Sequence, residues 1–390
     1  MADAEDNTVV LTYKYRLLPT KRQHAALAEI CESQRILYNA ALEERVDCYR
    51  KTGKSLSFMI QCKELTELRQ NPEYAVLPIK LQRWTLKRLD DAYGAFFRRM
   101  KSGGKPGFPR FRGKARWQSF GFIEFSGITL RQNRFRFKGL PGSLRVHLHR
   151  PLPECKPLGC TFTRDHKGWN VCLQYRVPAV ALAATGQQVG VDVGLKELCV
   201  LSSGQAIHNP RHTRRSAREL RRRQRALSRC RKGSGRRRKV IAQVTRLHAK
   251  IASARRTYLH QVSARLVREH DLIAVEKLNV KGMAAGMLAK SVHDAAWSKL
   301  REMIAYKAAY AGRRFIEVDA RNTTQGCSGC GAIVPKELSE RRHICPHCSL
   351  EMDRDHNAAR VILHRAVVRP DPHNVGRWAE RAVGIIASVS

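Results

Sequence analysis

From Val9 to Leu18 apolar and polar side chains alternate, the two-residue period of a strand with one covered face, and Pro19 closes the run. After Thr20 the period changes. Tyr38, Leu42 and Val46, then Leu86, Leu89, Tyr93 and Phe97, recur at helical intervals, so the chain reads as helical to about Arg99. The stretch from Lys101 to Lys114 mixes glycines, prolines and basic residues and predicts no regular element. Short alternating segments then return: Phe135/Phe137, Val146/Leu148 and Val171/Leu173/Tyr175, with turns between them. Together these predict a small barrel or sheet with a helical block inserted after its first strand.

A linker from Pro178 to Gln188 leads into a second pattern. Gln188-Val-Gly-Val-Asp-Val-Gly reads as a strand and Glu197 to Leu201 as its hairpin partner. Leu272 to Val275 is a short buried strand, Ser298 to Ala311 a helix, and Arg314 to Val318 another strand. Arg211 to Arg268 reads as a long helical region. Ile241, Val244, Leu247 and Ile251 make its apolar stripe, and Gly233-Ser-Gly235 folds it into a hairpin. The residues from Pro370 read as a loose tail, and no internal repeat is visible.

Charge sharpens this picture. The chain has 390 residues, enough for two or three domains, and an ordinary 43% hydrophobic content. Its 73 Lys+Arg against 33 Asp+Glu give a net charge of +40, which repels itself unless a polyanion neutralises it. Nucleic acid is the expected partner, because no apolar run approaches the roughly 20 residues a bilayer span needs. The charge is concentrated. Glu219 is the only acid between Arg211 and Arg268. Near residue 110, Lys105, Arg110, Arg112 and Lys114 interleave with Phe108, Phe111 and Trp117. Such basic groups clamp phosphates while aromatics stack on unpaired bases, with the filling of a local core as the competing use of the rings. Met1 to Asn7 is acidic and polar, unlike a signal peptide, so a reducing cytoplasm is expected.

Eight of the 12 cysteines are scattered, several in apolar stretches as buried free thiols are. The other four form two C-x-x-C pairs, Cys327/Cys330 and Cys345/Cys348, separated by 14 residues. Each pair supplies half of a tetrahedral Zn²⁺ site, and a closed four-thiolate site is structural because it keeps no open position. His343 and His347 read as exposed polar residues rather than further ligands.

Three carboxylates have comparable settings. Asp192 lies among valines, Glu276 ends Ile-Ala-Val-Glu, and Asp355 opens an apolar helical stretch just past the cysteine knuckle. An acid at the end of a buried strand is costly to desolvate and needs a partner, which for any one of them could be an arginine. As a set they suggest two-metal hydrolysis, in which carboxylates hold two Mg²⁺ ions roughly 3.5–4 Å apart on a phosphodiester.

Gly190-Val-Asp-Val-Gly-Leu195, Val275-Glu-Lys-Leu-Asn-Val-Lys-Gly-Met283, Thr323-Thr-Gln-Gly-Cys-Ser-Gly-Cys330 with Cys345-Pro-His-Cys348, and Asp353-Arg-Asp-His-Asn-Ala-Ala359 resemble the three RuvC motifs of the TnpB family. So do Tyr13-Lys-Tyr-Arg-Leu-Leu-Pro19, Tyr38-Asn-Ala-Ala41, Gly107-Phe-Pro-Arg-Phe-Arg112 and His293-Asp-Ala-Ala-Trp297, and the likeness covers about residues 9 to 365. TnpB proteins are transposon-encoded RNA-guided nucleases ancestral to type V CRISPR effectors. The resemblance implies an α+β multidomain protein. An RNase H-like (RuvC) α/β nuclease domain would span 186–322 and 351–366, with a zinc-ribbon insertion at 323–350. A wedge-type β-barrel would span 1–19 and 115–180, carrying a helical recognition block at 20–114, and 367–390 would be a C-terminal tail. It implies a guide RNA and target double-stranded DNA as partners, and cutting beside a short adjacent motif, in a prokaryotic cytoplasm at the nucleoid. Asp192, Glu276 and Asp355 would form the catalytic, Mg²⁺-binding triad, with Asp353 the rival for third place. Phe58, Lys80, Gln82 and Arg83 lie in the block where the family reads DNA, and Arg222 and Arg237 lie on the basic hairpin. The alternatives are a guided DNA-binding repressor that does not cut, or a miniature type V CRISPR effector.

Overall fold

A computed structural model of the chain describes residues 8–368 apart from Lys105, Ala284 and Leu338. The expected tail from Pro370 and the acidic start therefore lie outside the described residues, as does the nucleic-acid candidate Lys105. Among the described residues the chain forms two compact units, one of Val10–Val177 and one that holds Pro178–Val368.

In the first unit, β1 (Thr8–Leu18) is followed by three helices: α1 (Lys21–Thr52), α2 (Phe58–Leu68) and α3 (Ile79–Lys101). The helical rhythm starts sharply because Thr20 and Gln23 form a reciprocal capping box, and α1 ends where Gly53 turns left-handed. Six strands follow: β2 (Ser119–Phe122), β3 (Ile128–Arg131), β4 (Arg134–Phe137), β5 (Leu144–His147), β6 (Gly159–Asp165) and β7 (Gly168–Pro178). With β1 they make one sheet in the order β2-β6-β7-β1-β5-β4-β3. The sheet curls on itself, since Phe122 of edge strand β2 meets Phe137 of β4 at 5.4 Å between ring centroids. Phe120, Phe135, Phe162 and Trp169 fill the enclosed space. The helical stripe read through Phe97 stops short, however: Phe97 is 45% exposed, beyond the part of α3 that packs on α1 and β2.

In the second unit a hairpin-led sheet comes first, with β8 (Gln188–Val193), β9 (Glu197–Leu201) and β10 (Ala206–His208). The basic region forms α4 (His212–Arg215), α5 (Ala217–Ser228) and α6 (Gly235–Glu269). Then come β11 (Leu272–Glu276), α7 (Val280–Met283), α8 (Ala289–Ala295), α9 (Trp297–Tyr310) and β12 (Arg314–Val318). A small ribbon, β13 (Arg342–Ile344) and β14 (Glu351–Asp353), precedes α10 (Arg354–Val368).

The five-stranded sheet runs β10-β9-β8-β11-β12, antiparallel on the β9 side of β8 and parallel through β11 and β12. Strand alternation divides its two faces. Val189, Val191, Ile273 and Val275 pack against α6 and α9, whereas Leu272, Ala274, Ile316 and Val318 pack against Ile362 and Ala366 of α10. The basic hairpin buries less than its stripe suggests. Leu247 and Ile251 are covered, but Ile241 is 44% exposed and α5 has no buried residue. The end of the hairpin nearer its turn is thus a solvated arm.

Candidate active site

The two-residue period that sends Val191 and Val275 to one face of the sheet sends Asp192 and Glu276 to the other, under α10. β8 and β11 are parallel, with Val191 opposite Val275, so Asp192 and Glu276 come level at the next step. The third acid arrives on α10, which sits tight on β8 because Gly190 has no side chain. A β-carbon there would lie 2.0 Å from the Ala359 carbonyl oxygen and 2.8 Å from the Leu363 nitrogen. Asp355 is one helical turn before Ala359, and Asp192 is two strand residues after Gly190. Both steps run toward the same end.

Among the described residues only the four cysteines bring three or more His, Cys, Asp or Glu donor atoms within 4.8 Å of one another, so the three acids approach without closing to that spacing, yet their charges still act on Asp192. Burial, and after it the charges of Glu276 and Asp355, hold the Asp192 carboxyl well above the ordinary carboxylate range, with Arg354 pulling the other way. Burial also raises Glu276, opposed by a hydrogen bond from Thr323 and by the charge of Arg365. Asp355 is flanked by Arg354 Nε at 3.2 Å and Arg341 Nη1 at 3.9 Å. Asp353 Oδ1 accepts from the backbone N–H groups of Asp355 and His356, at 2.9 and 3.1 Å, and so caps α10.

The four cysteine sulfurs lie within 4.8 Å of one another. Cys327 to Cys348 and Cys330 to Cys345 are each 3.6 Å, near the roughly 3.8 Å edge of a tetrahedron with 2.3 Å metal–sulfur bonds. The donor set therefore fits Zn²⁺. One expectation about this ribbon fails. His347 is exposed, but His343 is fully buried, because β13 alternates and only Arg342 and Ile344 face out.

Asn357, two residues past Asp355, links the ribbon to α10. It is fully buried, accepts from Ser328 N–H at 2.9 Å and donates to the Gly326 carbonyl at 2.7 Å, bracketing Cys327. Thr323 reaches Glu276 from the same segment. Neither residue type is distinctive in a sequence, and only their place beside the cysteines and Asp355 could have marked them.

The nucleic-acid candidates separate. Gln82 is buried, with its amide donating to the Tyr74 carbonyl at 3.0 Å and accepting from Arg69, so it braces the 69–82 segment and offers no free edge to a base. Arg237 donates to the Leu227 and Cys230 carbonyls at 3.0 and 3.3 Å and closes the hairpin turn. Lys80 pairs with Glu124 at 2.6 Å, Arg83 donates to Thr66 at 3.3 Å, and Lys87 lies over the half-buried Phe58 ring. Arg112 is half-buried against Tyr38, whereas Arg110, Lys114 and Arg222 are exposed. Of the nearby aromatics, Trp117 is core, Phe108 packs edge-on to Tyr93 and Phe96, and Phe111 is 60% exposed.

A family model described as a probable transposase matches residues 170–286, and one described as a Cas12f1-like TNB domain matches 297–362. A third, described as a helix-turn-helix domain, matches 9–54, where the structure has a strand and one long helix. A protein of Streptomyces pristinaespiralis named as an RNA-guided DNA endonuclease is 34% identical, over 90% of this chain and 88% of its own. This chain belongs to the TnpB family of RNA-guided DNA endonucleases. InsQ of Escherichia coli K12, named as an RNA-guided DNA endonuclease, is 28% identical over 90% of this chain and 91% of its own. Among solved structures, Cas12f1 in complex with a guide RNA and target DNA superposes with a TM-score of 0.59. That match covers 91% of this chain and 99% of the other at 14% identity, so the shared property is the fold. Among the described residues no helix is long and apolar enough to cross a membrane.

Proposed function

We propose that this chain is an RNA-guided, Mg²⁺-dependent DNA endonuclease of a transposon, acting beside the nucleoid and cutting target DNA next to a short adjacent motif. What supports the reading is that Asp192 and Glu276 stand level on neighbouring strands, and that the Asp192 carboxyl, raised first by burial, is raised further by the charges of Glu276 and Asp355. Clustered oxygens with excess negative charge are the donor set of hard divalent cations. Asp192, Glu276 and Asp355 would hold the ions, which when bound supply a nucleophilic water at neutral pH and offset charge on the departing 3′ oxygen. Arg354 and Arg341 would hold Asp355 in place through their ion pairs, and Thr323 would orient Glu276. Zn²⁺ at the four cysteines is structural and fixes the segment that carries Thr323 and the contacts to Asn357. Arg222 and its exposed neighbours would hold the guide, with pairing to the guide choosing the sequence.

The test is cleavage of a supercoiled plasmid target by protein assembled with the RNA that co-purifies with it. Asp192→Ala, Glu276→Gln and Asp355→Asn should each lower the rate at least about 100-fold, while RNA and DNA binding persist. Undiminished cutting by any of them removes that acid from the site.

A further inference from the structure

The basic arm and the turn that follows Asp192 are joined by contacts that hydrolysis itself leaves unused. Asp294, near the end of α8, has a side chain only 9% exposed. Its carboxylate accepts from the Thr213 backbone N–H at 3.0 Å, the Thr213 hydroxyl at 2.7 Å and Arg255 Nη2 at 2.7 Å. Thr213 belongs to α4, the root from which α5 departs, and Arg255 to α6. Three residues later, the Trp297 indole N–H donates to the Gly194 carbonyl at 3.1 Å, two residues past Asp192. The arm root grips the same turn directly, since the Asn209 amide donates to the Leu195 carbonyl at 3.0 Å.

Between these anchors Ala296 is left-handed, with φ of 55°. A residue with a β-carbon holds that strained conformation only where its surroundings fix it from both sides. Asp294 and Trp297 are those two sides. The arm they restrain carries many exposed guanidinium groups and a single acid up to Arg268, so its charges push it away from the sheet until an anion covers them.

We propose that Asp294 and Trp297 are positioning residues that latch the basic arm to the turn after Asp192, so that RNA lying on the arm steadies the catalytic strand end. The proposal rests on the arm's being the RNA surface and on Asp192 as a catalytic acid. RNA phosphates neutralise the arm's self-repulsion, the root settles, and the carboxylate of Asp294 and the indole of Trp297 pass that order to Gly194.

Hydrogen exchange on the full-length zinc-loaded protein, without Mg²⁺, tests it with a polyuridine RNA at low salt. In the wild type, RNA should slow exchange across residues 194–198 by about fivefold or more, the lower end of ordinary coupling between sites. Asp294→Asn and Trp297→Phe should bind the RNA comparably yet lose that slowing. Should Asp294→Asn fail to fold, Thr213→Val, which removes the hydroxyl's bonds to Asp294 and Arg255 but keeps the backbone one, makes the same comparison. Equal slowing in the variants, or none in the wild type with RNA bound, overturns the latch. Failure of the wild type to bind the RNA overturns instead the reading of the arm on which it rests.

Discussion

Gly190 governs where Asp355 can stand. A β-carbon there meets backbone atoms of α10, which cannot yield as a flexible side-chain end could. Gly190→Ala should therefore cost about 1–3 kcal/mol as overpacking and reduce cleavage even though no acid is touched. Denaturant titration and the plasmid assay check the two effects together. At Asp192 the sign of the pH dependence follows from its raised carboxyl. The folded state holds a proton there that the unfolded chain releases near pH 4, so the contribution to stability is complete below that value and is lost as pH rises through the elevated one. Metal-free protein should accordingly gain from Asp192→Asn at neutral pH. Relief of about 1 kcal/mol would raise the unfolding midpoint by about 2–4 °C, and Mg²⁺ should stabilise only the wild type. A lower midpoint for the variant in chelator would contradict the electrostatic account. Gln82 and Arg222 make a second contrast. Gln82→Ala removes the amide's bonds to the Tyr74 carbonyl and to Arg69 and should cost about 1 kcal/mol, whereas Arg222→Ala should leave the melt unchanged and weaken RNA binding.

Among the elements, the ribbon and α10 act together because Asn357 ties them. Chelating the zinc should speed amide exchange in residues 326–331 and in the first turn of α10 well before the five-stranded sheet opens, and hydrogen exchange followed by mass spectrometry reads that order. Simultaneous loss of protection everywhere would mean that the ribbon does not transmit locally. Much of this scale was legible in the chain. The valine alternation around Asp192 predicts both its strand and its face, and Gly233-Ser-Gly235 predicts the hairpin, because period and turn chemistry are local properties. Phe97 and Ile241 continue helical stripes yet stand exposed, since a period says which face is apolar but not how far a neighbouring element extends to cover it. The buried His343 departs from expectation for the converse reason: a three-residue strand is too short to show its own alternation. The partners of Gln82 and Arg237 are backbone carbonyls, which any residue supplies, so no pattern could announce them.

For the whole molecule the dominant property is a charge of +40. Neutralising about 10 phosphates would give a log–log dependence of affinity on salt with a slope near −9, or about −7 on single strands. Fluorescence anisotropy across a salt series measures it, and a flat response would assign the charge to something other than a nucleic-acid backbone. Solvent-facing charge belongs to this scale because it leaves the fold unchanged and sets encounter and grip. The charge that Glu276 and Asp355 place on Asp192 also belongs here, since β8, β11 and α10 are drawn from most of the second unit.

Calorimetric titration of Mn²⁺ into full-length protein, wild type beside Asp192→Asn, tests the proposed carboxylate metal site most directly. If the carboxylates share a metal site, the wild type binds the ion with a defined stoichiometry and the variant loses at least about 1.4 kcal/mol, tenfold in affinity. Equal affinity for Mn²⁺ in the two proteins, with both fully folded, would contradict it.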